Sequence, residues 1–96
     1  MNKAQAKKKY LYYRQKYWMY SSRYNCNKGL IIAYKREIKV LFQQFPKPEN
    51  QVSIKIHELK NKIQKFKKEM KQYTIKIKKY KPLTKQHKII FDQIML

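Results

Sequence analysis

The sequence predicts an all-α fold: a helical hairpin with a long, basic, heptad-patterned helix, a basic aromatic N-terminal helix and a short C-terminal helix. Three observations predict it. Apolar residues recur at alternating spacings of four and three, the signature of one helix face. The strong breakers fall at only three places, Gly29, Pro46–Pro48 and Pro82. Hydrophobic residues make up 43% of the chain and aromatics 15%, which is too rich for a plain disordered basic tail.

The first predicted helix spans roughly Ala4 to Tyr24, a stretch without Pro or Gly. Tyr10, Tyr13, Tyr17, Tyr20 and Tyr24 step by three, four, three and four along one face. Leu11, Tyr12, Trp18 and Met19 fall elsewhere on the wheel, so this helix is expected to be covered on more than one side. Asn25-Cys26-Asn27-Lys28-Gly29 reads as a helix stop, with Gly29 free to take a positive φ. Residues 1–28 therefore form an N-terminal extension to a hairpin over residues 29–96. A free basic N-terminus is expected to fray unless a complex holds it.

A second helix is predicted from Leu30 to Phe45, with Leu30, Tyr34, Ile38, Leu41 and Phe45 as its stripe. Phe45-Pro46-Lys47-Pro48-Glu49 breaks the chain, and Pro48 suits the first position of the next helix. That third helix, Glu49 to Lys79, carries the clearest pattern. Val52, Ile56, Leu59, Ile63, Phe66, Met70, Tyr73, Ile77 and Tyr80 alternate spacings of four and three without a miss. The second helix, folded back antiparallel, is the nearest partner for this seam. Pro82 is expected to end the run. A fourth helix, Thr84 to about Met95, presents Ile90, Ile94 and Phe91.

Charge decides the class of partner. The 96 residues carry 25 Lys plus Arg against 5 Asp plus Glu, a net of +20. Such self-repulsion opposes collapse, and a polyanion relieves it. The free chain is therefore expected to be only partly helical at low salt. On the third helix only Glu58 and Glu69 offset the lysines off the seam, with Glu58–Lys62 and Lys65–Glu69 as expected pairs along the helix. Solvated coiled-coil faces normally alternate sign. This one does not, and it favours phosphate contact, where Lys acts as a point charge rather than a base reader.

The expected RNA-binding residues are Lys7, Lys8, Lys9, Arg14, Lys16, Arg23, Lys28, Lys35 and Arg36 in the first half of the chain. In the second half they are Lys67, Lys68, Lys71, Lys76, Lys78, Lys79, Lys85, His87 and Lys88. Tyr12 and Trp18, off the tyrosine stripe, are candidates for stacking on unpaired bases. The five striped tyrosines are expected to be core, with a stacking role as the alternative.

Other chemistries find no support. Cys26 is the single cysteine, which leaves no disulfide framework and no Cys-based zinc site. His57 and His87 belong to no metal-ligand spacing, and no Gly-rich phosphate loop or nucleophile constellation is present. No enzyme activity, metal, cofactor or small-molecule substrate is expected. The longest apolar run, Leu30-Ile31-Ile32-Ala33-Tyr34, is far short of the ~20 residues that span a bilayer. A chain that starts at Met1 is expected to have lost no cleaved leader. Abundant Lys, Ile, Tyr and Gln beside scarce Gly and Arg suggest an A/T-rich genome, such as an organelle's own.

From Lys35 onward the chain resembles the bacterial-type small-subunit ribosomal protein fifteen family. Lys35-Arg36-Glu37-Ile38 through Phe42 is similar to that family's short helix ending in Phe. Pro48-Glu49-Asn50-Gln51-Val52 is similar to its P-E-x-Q-hydrophobic helix start, and Ile89-Ile90 falls where its Leu pair stands. The resemblance covers about 55 residues. It departs where the family carries a His/Asp/Ser/Arg cluster for a ribosomal RNA junction, since Glu69, Gln72, Thr74 and Ile75 stand there. None of those contact residues carries over.

The function expected is structural: a constituent of an organellar, first of all mitochondrial, ribosome, with a cytoplasmic ribosome second. Its partners would be ribosomal RNA and neighbouring ribosomal proteins. The alternatives are a basic accessory subunit of an organellar membrane complex, and a coiled-coil adaptor for an acidic protein.

Overall fold

The computed structural model describes residues 2–96, which form two α-helices in a hairpin. α1 runs over Lys3–Gln44, 42 residues, and α2 over Asn50–Met95, 46 residues. Two helices stand where four were expected, because neither the Gly29 stop nor the Pro82 stop operates.

α1 opens on a reciprocal cap. The Gln5 amide donates to Asn2 Oδ1 at 2.8 Å, and the Asn2 amide donates to Gln5 Oε1 at 3.3 Å. This capping box satisfies two donors that a bare helix end leaves orphaned. It gives the N-terminal turn a local hold. The helix then passes through Asn25–Gly29 without interruption, and Gly29 takes no positive φ. Phase explains why. Asn27 and Ile31, both buried, keep the four-three spacing between Tyr24 and Tyr34. Ending the helix would forfeit that burial to recover only the ~1 kcal/mol that Gly costs in a helix.

Glu49 caps α2, its carbonyl accepting from the Ser53 amide at 2.9 Å. Pro48 therefore precedes the cap instead of opening the helix, and its carbonyl accepts from the Ser53 hydroxyl at 3.3 Å. α2 continues through Pro82, which is exposed. A proline inside a helix costs ~3 kcal/mol through its missing donor and ring clash. Here the seam outweighs it. Thr84, His87, Phe91 and Ile94 extend the four-three spacing from Tyr80, and all four are half-buried. Thr84 also donates its hydroxyl to the Tyr80 carbonyl at 2.8 Å, tying the turn that contains Pro82.

The hairpin comprises two compact units. One pairs α1 up to Arg23 with Gln72–Leu96, and the other is Tyr24–Lys71. The N-terminal aromatic segment and the C-terminal segment thus pack on each other, where separate docking was expected. Their seam is built of rings. Tyr20 stacks on Tyr80 (5.9 Å between centroids) and lies 6.1 Å from Tyr73, while Tyr10 meets Phe91 at 5.8 Å. Tyr13 stacks on His87 at 4.8 Å. Ala6 and Tyr80 are buried. All five striped tyrosines are at least half-buried, so that stripe is core.

The Tyr24–Lys71 unit has a mostly aliphatic core of Ile31, Ile56, Leu59 and Ile63, with Tyr34 stacked on Phe66 at 6.0 Å. Ile31, missing from the expected stripe, is buried, whereas Phe45 is exposed. All nine expected seam residues of α2 are buried or half-buried. Burying a Leu or Ile side chain contributes about 1.5–3 kcal/mol, which is what holds two highly charged helices together.

Candidate nucleic-acid interface

Packing the apolar stripes against each other leaves the cations outside. Of the expected RNA-binding side chains, all but Lys16 and His87 are exposed, and those two are half-buried. Fourteen lie in the unit formed by the N- and C-terminal segments. Lys28, Lys35, Arg36, Lys67, Lys68 and Lys71 lie in the other.

The charge is unevenly shared. In the terminal unit thirteen Lys and Arg meet one side-chain carboxylate, Asp92. In Tyr24–Lys71, twelve meet four glutamates. The glutamates there are engaged in part. Glu37 pairs with Lys55 at 3.8 Å, and Glu69 accepts a 3.0 Å hydrogen bond from the Asn27 amide. The expected Glu58–Lys62 and Lys65–Glu69 pairs do not form, and Lys62 instead lies over the Tyr34 ring at 5.6 Å.

Ring pairing fixes which charges flank the seam. Arg14 and Lys88 each follow a member of the Tyr13–His87 stack. Lys35 and Lys67 likewise follow Tyr34 and Phe66. Two-helix seams are usually flanked by residues of opposite sign. At these two places the residues are of like charge, which repels in the free hairpin, whereas Glu37 and Lys55 supply an opposite-sign pair across it.

Cation–π contacts hold several of these side chains in place. Lys16 lies 5.6 Å from the Tyr12 centroid, Arg23 6.0 Å from Tyr20, Lys79 5.3 Å from Tyr80 and Lys60 6.0 Å from Phe42. Each contributes ~0.5–1 kcal/mol at an exposed site. In each case the charged end itself lies over the ring, which narrows the side chain's rotamers.

His87 departs from its expected place on the basic surface. Its ring occupies a seam position against Tyr13, and its buried Nδ1 has no hydrogen-bond partner among the described residues. The missed signal was position: His87 stands seven residues after Tyr80, in phase with the seam. Trp18 and Tyr12 are exposed, at 73% and 50%. No cluster of His, Cys, Asp or Glu that could hold a metal occurs among the described residues, and no helix is long and apolar enough to cross a membrane.

The fold and its surface thus define a basic two-helix hairpin whose seam is aromatic in the terminal unit and mostly aliphatic in Tyr24–Lys71. Comparison with protein-family models, curated proteins and solved structures finds no match to this chain.

Proposed function

We infer that this protein is a structural RNA-binding component of a ribosome, organellar by its composition, and that it neutralises ribosomal RNA phosphates with lysine side chains. One distribution carries that inference: thirteen cations against one carboxylate in the terminal unit, left outside the seam that the apolar stripes of the two helices form. Lysine-rich flanks of like sign fit a phosphate backbone, whose contacts position a protein without reading sequence. The resemblance from Lys35 to Ile90 makes the small subunit the first address to test.

A membrane-surface subunit would need a wide apolar face free for lipid. Within each unit the continuous apolar stripe is committed to the partner helix, and the large hydrophobics left exposed, such as Leu11, Trp18, Ile32 and Ile75, stand among lysines and arginines.

Sedimentation of the native protein in a lysate, with and without ribonuclease, tests the inference. Co-migration with a ribosomal subunit, lost on digestion, is expected. Migration with membranes, indifferent to ribonuclease, would overturn it. In purified form, binding to RNA should weaken by about 10³–10⁵-fold between 50 and 200 mM salt if 6–10 phosphates are contacted.

A further inference from the structure

Trp18 is the chain's single tryptophan and its most exposed large ring, at 73%. Its surroundings differ from those of Tyr12, which is also exposed. Tyr12 meets the Tyr13 ring edge-on at 5.4 Å and carries Lys16 at 5.6 Å. Among the described residues no ring and no cation lies over Trp18, so its face is free.

Leu11, Arg14 and Gln15 precede Trp18 by seven, four and three residues, which puts all four side chains on one face of α1. They line a shallow depression of about 380 Å³, and Leu11 is 44% exposed. The depression joins a flat π surface, an apolar floor, a guanidinium and an amide. It sits in the unit where cations outnumber carboxylates thirteen to one, so its occupant should be attached to an anion. A ligand that is flat, polar at its edge and bound to phosphate meets all these conditions.

We propose that this face of α1 is a stacking site for one unpaired RNA base. The base lies on Trp18 and against Leu11, while Arg14 and Gln15 face its polar edge and phosphate. The site rests on the RNA-binding function inferred above and deepens it, since lysines along a backbone recognise duplex and single strand alike. Stacking requires a base that is out of its helix, and every base has a π face, so the site selects for strandedness over sequence.

The lone tryptophan makes the test direct. Full-length protein is titrated with a short oligouridylate, and both Trp18 fluorescence and strand anisotropy are followed. An abasic ribose-phosphate oligomer of equal length and phosphatidylserine-containing vesicles serve as comparisons. Quenching by more than half with oligouridylate, and little change with the abasic strand, is expected. Equal quenching by the abasic strand would overturn the site, as would a blue shift on vesicles with no response to the base-bearing strand. Trp18→Ala should weaken oligouridylate binding about 5- to 150-fold and leave duplex RNA binding unchanged. Equal loss for both RNAs would also overturn it. The quenching is read on the unsubstituted protein and does not depend on how the variant folds. If oligouridylate binds by anisotropy with no quenching, the stacking site falls while RNA binding stands. If neither RNA binds, both fall.

Discussion

Asn27 donates a 3.0 Å hydrogen bond to Glu69 Oε2 from within the seam, where it is only 8% exposed. Its neighbours along the stripe are Tyr24 and Ile31, so a polar residue occupies a position the pattern assigns to an apolar one. A buried polar side chain at such a position fixes register, because any slip leaves it unpaired. Glu69→Ala should destabilise the hairpin by about 1–3 kcal/mol by stranding the Asn27 amide. Asn27→Leu should raise the thermal midpoint, since it removes the polar group itself. Thermal unfolding of the two variants distinguishes this pair from a surface contact, for which both changes would be negligible.

Gly29 and Pro82 both sit inside continuous helices against their local preference. A Cβ added at Gly29 meets nothing within 4 Å, and its backbone takes no positive φ. Gly29→Ala is therefore expected to stabilise the protein by about 0.5–1 kcal/mol. Pro82→Ala restores a backbone donor in α2 and should stabilise it by up to ~3 kcal/mol. Denaturant unfolding measures both. A destabilised Gly29→Ala variant would mean that α1 breaks at residues 25–29.

His87→Phe keeps a ring against Tyr13 and removes the buried Nδ1 that lacks a partner. A gain of about 1–3 kcal/mol in stability is expected. RNA affinity should not change, because the imidazole faces the seam. A clear loss of RNA binding in a stably folded variant would return His87 to the basic surface.

Arg14 and Lys88 flank the Tyr13–His87 stack with like charges. Reversing one of them, Lys88→Glu, sets opposite signs across the seam and should stabilise the free hairpin by a few tenths of a kcal/mol. The same change should weaken RNA binding. Circular dichroism and RNA titration on one sample then move in opposite directions, which a purely structural lysine would not produce. For the unsubstituted protein, added salt should raise helicity by screening these flanks. In the other unit, changing Lys67, Lys68 and Lys71 to Glu should cut RNA association with helicity intact. An unaltered association would remove those three from the interface.

The sequence pattern made α2 legible from Val52 to Tyr80 because nine residues hold one phase and apolar side chains dominate it. Beyond Tyr80 the phase persists, but Thr84 and His87 occupy it and Pro82 interrupts the composition. α1 hid its continuity in the same way. Asn27 holds the phase between Tyr24 and Ile31, yet beside Gly29 it reads as turn chemistry. In both places a long-range seam outweighs a local preference of ~1–3 kcal/mol. The exposure of the cations was legible, since charge has few ways to be buried. Which glutamates would be engaged across the hairpin, as Glu37 is with Lys55 and Glu69 with Asn27, depends on register and was not.

Antiparallel pairing also sets an order of events during synthesis. Phe42 and Lys60 are 18 residues apart, whereas Tyr10 and Phe91, which pair across the terminal unit, are 81 apart. By chain entropy alone, closing the longer loop costs about 1 kcal/mol more. The kinetic difference is larger. Tyr10 and Tyr13 must wait for Phe91 and His87 to be synthesised before they are covered. Throughout that interval residues 1–23, with seven Lys and Arg and no Asp or Glu, are an aromatic stretch whose partner has yet to be made.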